Sequence, residues 1–142
     1  LDFPGVSVIS VGIRNISAGE IPFLEANRDR VRIHWGRDRR KWDPAAIVAP
    51  LTGRKVYLTF DVDGLDSSIM PATGTPEPGG LLWEDAMAII SAAAGVCEII
   101  GADVNELAPI KGHHAPDFLV AKLVYKILSA ALIGPPPGPP IG

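Results

Sequence analysis

Apolar positions fall into four short blocks of strand character, separated by stretches that carry helix signals. Residues 6–13 (VSVISVGI) are almost continuously apolar, the pattern of a parallel strand buried on both faces. Val31–Trp35 (VRIHW) is a second, shorter candidate. In residues 55–60, Val56, Leu58 and Phe60 alternate with Tyr57 and Thr59, β-branched and aromatic residues suited to a pleated surface. Residues 98–104 (EIIGADV) make the fourth. Between the first two, Ser17 and Glu20 stand in capping-box position, and Pro22 would interrupt that helix in its second turn. Its regular part is therefore expected from Pro22 to about Asn27. Asp43 is a candidate N-cap with Pro44 at the first helical position, and Pro50 and Gly53 close that helix early. Trp83, Met87 and Ile90 lie at helical spacing within residues 82–94, with Gly95 as the stop. Pro116 opens a last helix to about Leu132, whose mixed faces show in Phe118, Leu119, Lys122, Leu123, Lys126 and Ile127, with a broad apolar stripe on one side.

Strand and helix thus alternate as β-α-β-α-β-loop-α-β-α, the order of a parallel sheet covered by helices on both faces. The expectation is an α/β fold of three α/β/α layers with a mainly parallel sheet. Length permits one domain with a real core: 142 residues, 47% of them hydrophobic. We place that domain at residues 1–134. Residues 135–142 (PPPGPPIG) can be neither helix nor inner strand and are expected to be a disordered tail.

Charge removes some partners. Thirteen basic against sixteen acidic residues give a net charge of −3, with no basic stripe, so nucleic acid is not expected. The densest positive segment, residues 37–41 (RDRRK), is interrupted by an acid and reads as a solvated loop. No stretch reaches the roughly 20 apolar residues of a membrane helix. Cys97 is alone, which excludes an internal disulfide and fits a reducing, cytoplasmic setting. The amino end has no charged n-region and is not read as a signal peptide; starting at Leu1, the chain reads as cut from something longer.

The candidate chemistry sits where the third strand meets a Gly- and Pro-rich loop, in residues 55–80 (KVYLTFDVDGLDSSIMPATGTPEPGG). The carboxyl end of a parallel strand is where ligands bind in α/β sheets. Asp61 and Asp63, two apart on a strand, are expected to point to one face and aim at one object. Carboxylates held that close repel unless a cation or proton lies between them, so a divalent metal is the expected occupant. The fourth strand delivers Asn105 and Glu106 to the same end. Asp66 is expected to tie down the loop through backbone N–H groups, and Gly74, Gly79 and Gly80 to supply turns closed to a Cβ. His34, His113 and His114 match no defensible ligand spacing; His34 reads as a packed strand residue, and the other two as loop residues at the mouth of the site.

The same residues resemble the signature of the ureohydrolases, the arginase and agmatinase family, approximately S-x-D-x-D-x-L-D-P-x-x-x-P-x-T-G-T-P-x-x-G-G. Asp61, Asp63, Leu65, Asp66, Pro71, Thr73, Gly74, Thr75, Pro76, Gly79 and Gly80 fit it, while Thr59 and Ser67 replace a Ser and a Pro. The resemblance extends from GIR at residues 12–14 through GADVNELAP at 101–109 into the last helix. It implies an arginase-like α/β/α fold, of which this chain is the carboxyl-terminal portion, and hydrolysis of a small guanidinium substrate with a pair of Mn²⁺ ions. By motif position, Asp61 resembles the carboxylate that bridges both ions and Asp63 the one that holds a single ion. Both are thereby catalytic and metal residues. Glu106 resembles the acid that pairs with the substrate guanidinium, and Thr75 is expected to hold the loop or touch the substrate. An assembly of identical subunits is also expected.

Substrate choice leans to agmatine, cleaved to putrescine and urea. Ser17 stands where arginases carry an acid that helps bind the α-amino group, and TPEPGG and ELAPIKGHHAPDF look more like agmatinases. Arginase, guanidinobutyrase and formimidoylglutamase activities stay open. The family's other metal ligands, a His and an Asp-x-His-x-Asp set, come earlier in its chains and are not found in this one. A non-catalytic fragment or partner subunit is therefore the alternative. Two other Asp-x-Asp enzyme types fit worse. A haloacid-dehalogenase-type phosphotransferase wants Thr or Val where Leu65 stands, and a glycosyltransferase leaves residues 73–80 unexplained.

Overall fold

The computed structural model describes residues 3–133. In chain order it contains β1 (Val8–Ile13), α1 (Ile21–Ala26), β2 (Val31–Trp35), α2 (Pro44–Val48), β3 (Lys55–Asp61), α3 (Trp83–Ala94), β4 (Glu98–Asn105) and α4 (Ala115–Ile133). Both ladders are parallel, as the α/β alternation requires. The strands fall into two pairs, β1 with β2 and β3 with β4, with no ladder between the pairs among the described residues. The proposed tail, residues 135–142, lies outside the described residues.

Two local expectations need correction, whereas the helix around Pro22 runs as expected: Ala18–Glu20 forms a 3-10 turn and α1 begins only at Ile21, with Asn27 as its C-cap and Pro22 in its first turn. There a missing N–H costs nothing. The capping interaction is made one element early, with the Ser17 N–H donating to the Glu20 carboxylate at 2.6 Å. Residues 37–41 are not a solvated loop, since Gly36–Lys41 is a 3-10 helix. Its charges have structural partners: Arg39 donates to the Gly80 carbonyl and lies 3.4 Å from Asp85, and Arg37 stacks 5.0 Å from the Trp35 ring. The third strand ends at Asp61, and Val62–Gly64 turns as a 3-10 segment, so strand alternation does not reach Asp63. Asp43 caps α2 as expected, accepting from the Ala45 N–H at 3.0 Å.

Alternation in β3 decides where the core lies. Val56, Leu58 and Phe60 turn inward, while Tyr57, Thr59 and Asp61 are exposed. The inward side meets helices. Ile47 and Val48 of α2 and Ala93 of α3 pack with Ile99, Val56 and Leu58, and also with Ile9 and Val11 of β1. Ile90, Leu123 and Ile127 of α3 and α4 pack on Leu58, Phe60 and Val104. A third cluster, Val62, Leu65, Met70, Ala72, Leu81, Ala86 and Val120, lies beneath the loop after β3. That cluster gives the Gly- and Pro-rich loop a floor of its own. Leu65, 1% exposed, is central to it, and Leu65→Ala should cost about 2–5 kcal/mol.

Candidate active site

The loop is pinned by Asp66. Its carboxylate accepts from the Ser68 N–H (3.0 Å) and hydroxyl (2.5 Å), and across the loop from the N–H groups of Gly79 (2.7 Å) and Gly80 (3.2 Å). The Ser68 bonds are the larger cause, followed by those from the glycines, and against some burial they hold the carboxyl at about 2. Asp66 thus does the backbone-tying work expected of it. Gly79 has φ 82°, in the left-handed region, and a Cβ on Gly80 would sit 2.5 Å from the Leu65 carbonyl. Gly74 differs from the expectation: a Cβ there would meet only the Glu106 carboxylate, at 4.0 Å. Its smallness leaves room in front of that acid.

Asp61 and Asp63 are brought together by a turn rather than by strand alternation. The Asp63 N–H donates to Asp61 Oδ1 at 2.8 Å, which caps the 3-10 segment and leaves Asp61 Oδ2 without a donor among the described residues. Asp63 receives the hydroxyls of Thr73 on Oδ1 and Thr75 on Oδ2. Burial raises its pKa, but those hydroxyl bonds, the Thr75 backbone and the Arg14 charge together bring it below the ordinary carboxylate value. Thr73 is itself buried. Each Asp63 oxygen still keeps acceptor capacity, because an ionised carboxylate offers about four lone-pair sites.

Arg14 fastens this end of the molecule from the other strand pair. Its guanidinium donates to the carbonyls of Gly12 (3.1 Å), Gly64 (3.1 Å) and Asp63, and its Nε lies 3.7 Å from Glu77. The sequence reading placed Arg14 in the GIR match without assigning it this task, and it missed Thr73 as a partner of Asp63. A Thr that fits the signature beside Gly74 was the available signal.

Glu106 follows Asn105, which pairs in register with Asp61. It has φ 67°, a left-handed conformation that costs a non-glycine residue about 1–2 kcal/mol. Such strain concentrates at functional positions. The turn swings its carboxylate toward Gly74, beside the threonine that holds Asp63. The Ala108 N–H bonds to the Ala72 carbonyl at 2.9 Å and ties the segment after β4 to the signature loop. Asp61, Asp63, Thr75 and Glu106 are therefore gathered at one end of β3 and β4.

None of the three histidines bonds to this group among the described residues. His34 is a partly buried strand residue whose pKa is lowered by burial first and the Arg32 charge second. His113 and His114 are exposed, and His114 lies 3.7 Å from Asp117. Among the described residues no group of three or more His, Cys, Asp or Glu side chains is placed to hold a metal ion. No described helix is long and apolar enough to cross a membrane.

Comparison with known proteins places the chain as a whole. The sequence profile of the arginase family matches residues 4–130. The N(1)-aminopropylagmatine ureohydrolase of Synechocystis sp. is 36% identical over 127 residues, covering 87% of this chain and 40% of that protein. The agmatinase of Blochmanniella floridana is 48% identical over 64 residues, 45% of this chain and 21% of that protein. Among solved structures, the agmatine ureohydrolase of Thermoplasma volcanium superposes with a TM-score of 0.74 at 28% identity, covering 90% of this chain and 43% of that one. The chain thus spans about two-fifths of the length of the curated relatives it matches.

Proposed function

As the chain belongs to the arginase family, we propose that it supplies the carboxyl-terminal half of a Mn²⁺-dependent site that hydrolyses a guanidinium compound, with agmatine as substrate and putrescine and urea as products. The observation that carries this reading is the convergence of Asp61, Asp63 and Glu106 around Thr75 at one end of β3 and β4.

Each side chain has a task the chemistry needs. Asp61, with one oxygen free of protein donors, and Asp63, ionised and oriented by two threonines, offer hard oxygen ligands of the kind Mn²⁺ takes. They fit the metal as part of a ligand set, since a site needs its full count and geometry. Bound metal would supply what water lacks, a hydroxide available near neutral pH. Glu106 can accept two parallel N–H bonds from the planar guanidinium and so hold its carbon in place. Water adds to that carbon, the bond to the alkyl nitrogen breaks, and the amine leaves with a proton as urea forms. Agmatine is favoured over arginine because Ser17 replaces the acid expected for an α-amino group.

A second reading, a non-catalytic fragment or partner subunit, has one observation behind it: among the described residues no group of three or more His, Cys, Asp or Glu side chains is placed to hold a metal ion. A chimera separates the two. Let this chain replace the matched 127 residues of the Synechocystis ureohydrolase. Urea release from agmatine with Mn²⁺, lowered about 100-fold or more by Asp61→Ala and by Glu106→Gln, supports the proposal. A folded chimera that releases no urea from agmatine, N(1)-aminopropylagmatine or arginine refutes it.

A further inference from the structure

The left-handed turn at Glu106 needs a hold on each side, because a strained backbone persists only where its surroundings over-determine it. On the carboxyl side, the Ala108 N–H bonds to the Ala72 carbonyl at 2.9 Å and fastens the chain to the signature loop. On the amino side, the β3–β4 ladder gives out at Asn105, in register with Asp61. A side-chain clamp stands where the ladder stops. Asn105 Nδ2 donates to Asp103 Oδ1 at 2.6 Å and to the Thr59 hydroxyl at 3.4 Å, and that hydroxyl donates to the same Oδ1 at 2.6 Å. Thr59 and Asp103 are partners across the ladder, so both strands build this triangle.

The Tyr57 hydroxyl also bonds to Asp103. Together these bonds hold the Asp103 carboxyl below its ordinary value, Thr59 first, Tyr57 next and Asn105 least, so the acceptor stays charged near neutral pH. Exposed polar pairs add little to stability. Bonds from three residues converging on one carboxylate, one residue short of the strained turn, therefore ask for another task.

We propose that Asp103 and Asn105 are positioning residues for the hydrolysis: Asp103 grips the Asn105 amide, and the fixed Asn105 aims Glu106, whose carboxylate meets the substrate guanidinium beside Gly74. This rests on the reading of Glu106 given above and adds the groups that hold that acid in place. Both act through one backbone turn, so their loss mis-aims the carboxylate without removing it.

The test has two arms, and the first needs neither metal nor substrate. Amide exchange at Ala108 is read in this chain and in Asn105→Ala, Asp103→Ala and Tyr57→Phe. The Cys97 amide, bonded to the Ala93 carbonyl at 3.0 Å, is the remote reference. Exchange at Ala108 should quicken at least about tenfold in the first two variants with Cys97 unchanged. Neither amide should change in Tyr57→Phe, which keeps the Asn105 bond. Ala108 exchange that stays the same, or that quickens equally at Cys97, would overturn the proposal. The second arm measures kcat/KM for agmatine in the chimera. Asn105→Ala should lower it about tenfold or more and leave Mn²⁺ affinity unchanged. In a Glu106→Gln background the same change should cost less than about twofold, because no carboxylate is left to aim. An equal loss in both backgrounds would overturn the proposal. The two readings fail separately: a chimera that releases no urea while Ala108 responds as expected sinks the activity, and urea release with Ala108 unmoved sinks only the clamp.

Discussion

Asp66→Asn is the sharpest perturbation of the loop that carries the site. A carboxyl held at about 2 against its ordinary 3.8 contributes at most about 2.5 kcal/mol. The group is only partly buried, and solvent screening reduces this to about 1–2 kcal/mol. Asn keeps an oxygen for Ser68 but cannot offer the second carboxylate oxygen that serves the N–H groups of Gly79 and Gly80. Because folding depresses this pKa, the contribution is complete above about pH 5, roughly half gone near pH 3, and lost as pH falls through about 2. Urea denaturation of both proteins at pH 7, 5, 4 and 3 reads the difference. The gap should be about 1–2 kcal/mol at pH 7 and narrow steadily toward pH 3. A gap under about 0.5 kcal/mol at pH 7, or one that does not change with pH, would refute the role given to Asp66.

Other substitutions probe the remaining parts. Gly80→Ala puts a Cβ 2.5 Å from the Leu65 carbonyl, and backbone must move, so a loss of about 2 kcal/mol or more is expected in the same denaturation assay. Glu106→Gly relieves a left-handed glutamate and should raise stability by about 0.5–1 kcal/mol while abolishing urea release by the chimera. Thr75→Val removes one hydroxyl that favours ionised Asp63. The carboxyl should rise, moving the acid limb of Mn²⁺ binding in the chimera to higher pH, as titrated calorimetry would show. Glu106→Gln should lower kcat/KM for agmatine about 100-fold, near 3 kcal/mol, and leave Mn²⁺ affinity unchanged, since this residue is assigned to the substrate and not to the metal.

Local sequence signals carried the architecture well, because each strand and long helix announces itself within ten or so residues. The alternation of Val56, Leu58 and Phe60 with Tyr57 and Thr59 was legible, and the structure turns the first set inward and leaves the second exposed. What stayed hidden depends on partners far along the chain. Arg14 reaches the Asp63 carbonyl across 49 positions, and no periodicity reports that. Residues 37–41 looked like a solvated loop because charge was legible while the carbonyl of Gly80 and the carboxylate of Asp85 were not. The pairing of Asp61 with Asp63 was anticipated through the wrong geometry: strand periodicity and an aspartate-capped turn both bring the two acids together, and only the structure distinguishes them. Nor does strand character reveal that no ladder joins β1 and β3 among the described residues, since both are spelled by the same apolar residues that would serve an unbroken sheet.

The central claim is that Asp61 and its neighbours form half of a guanidinium-hydrolysing metal site. Urea release from agmatine, followed as Mn²⁺ is added to the metal-stripped chimera and to its Asp61→Ala variant, tests this most directly. The account predicts release that saturates with Mn²⁺ in the first protein and falls at least 100-fold in the variant. Release that persists in Asp61→Ala, or that never appears in a folded, Mn²⁺-saturated chimera, would contradict it.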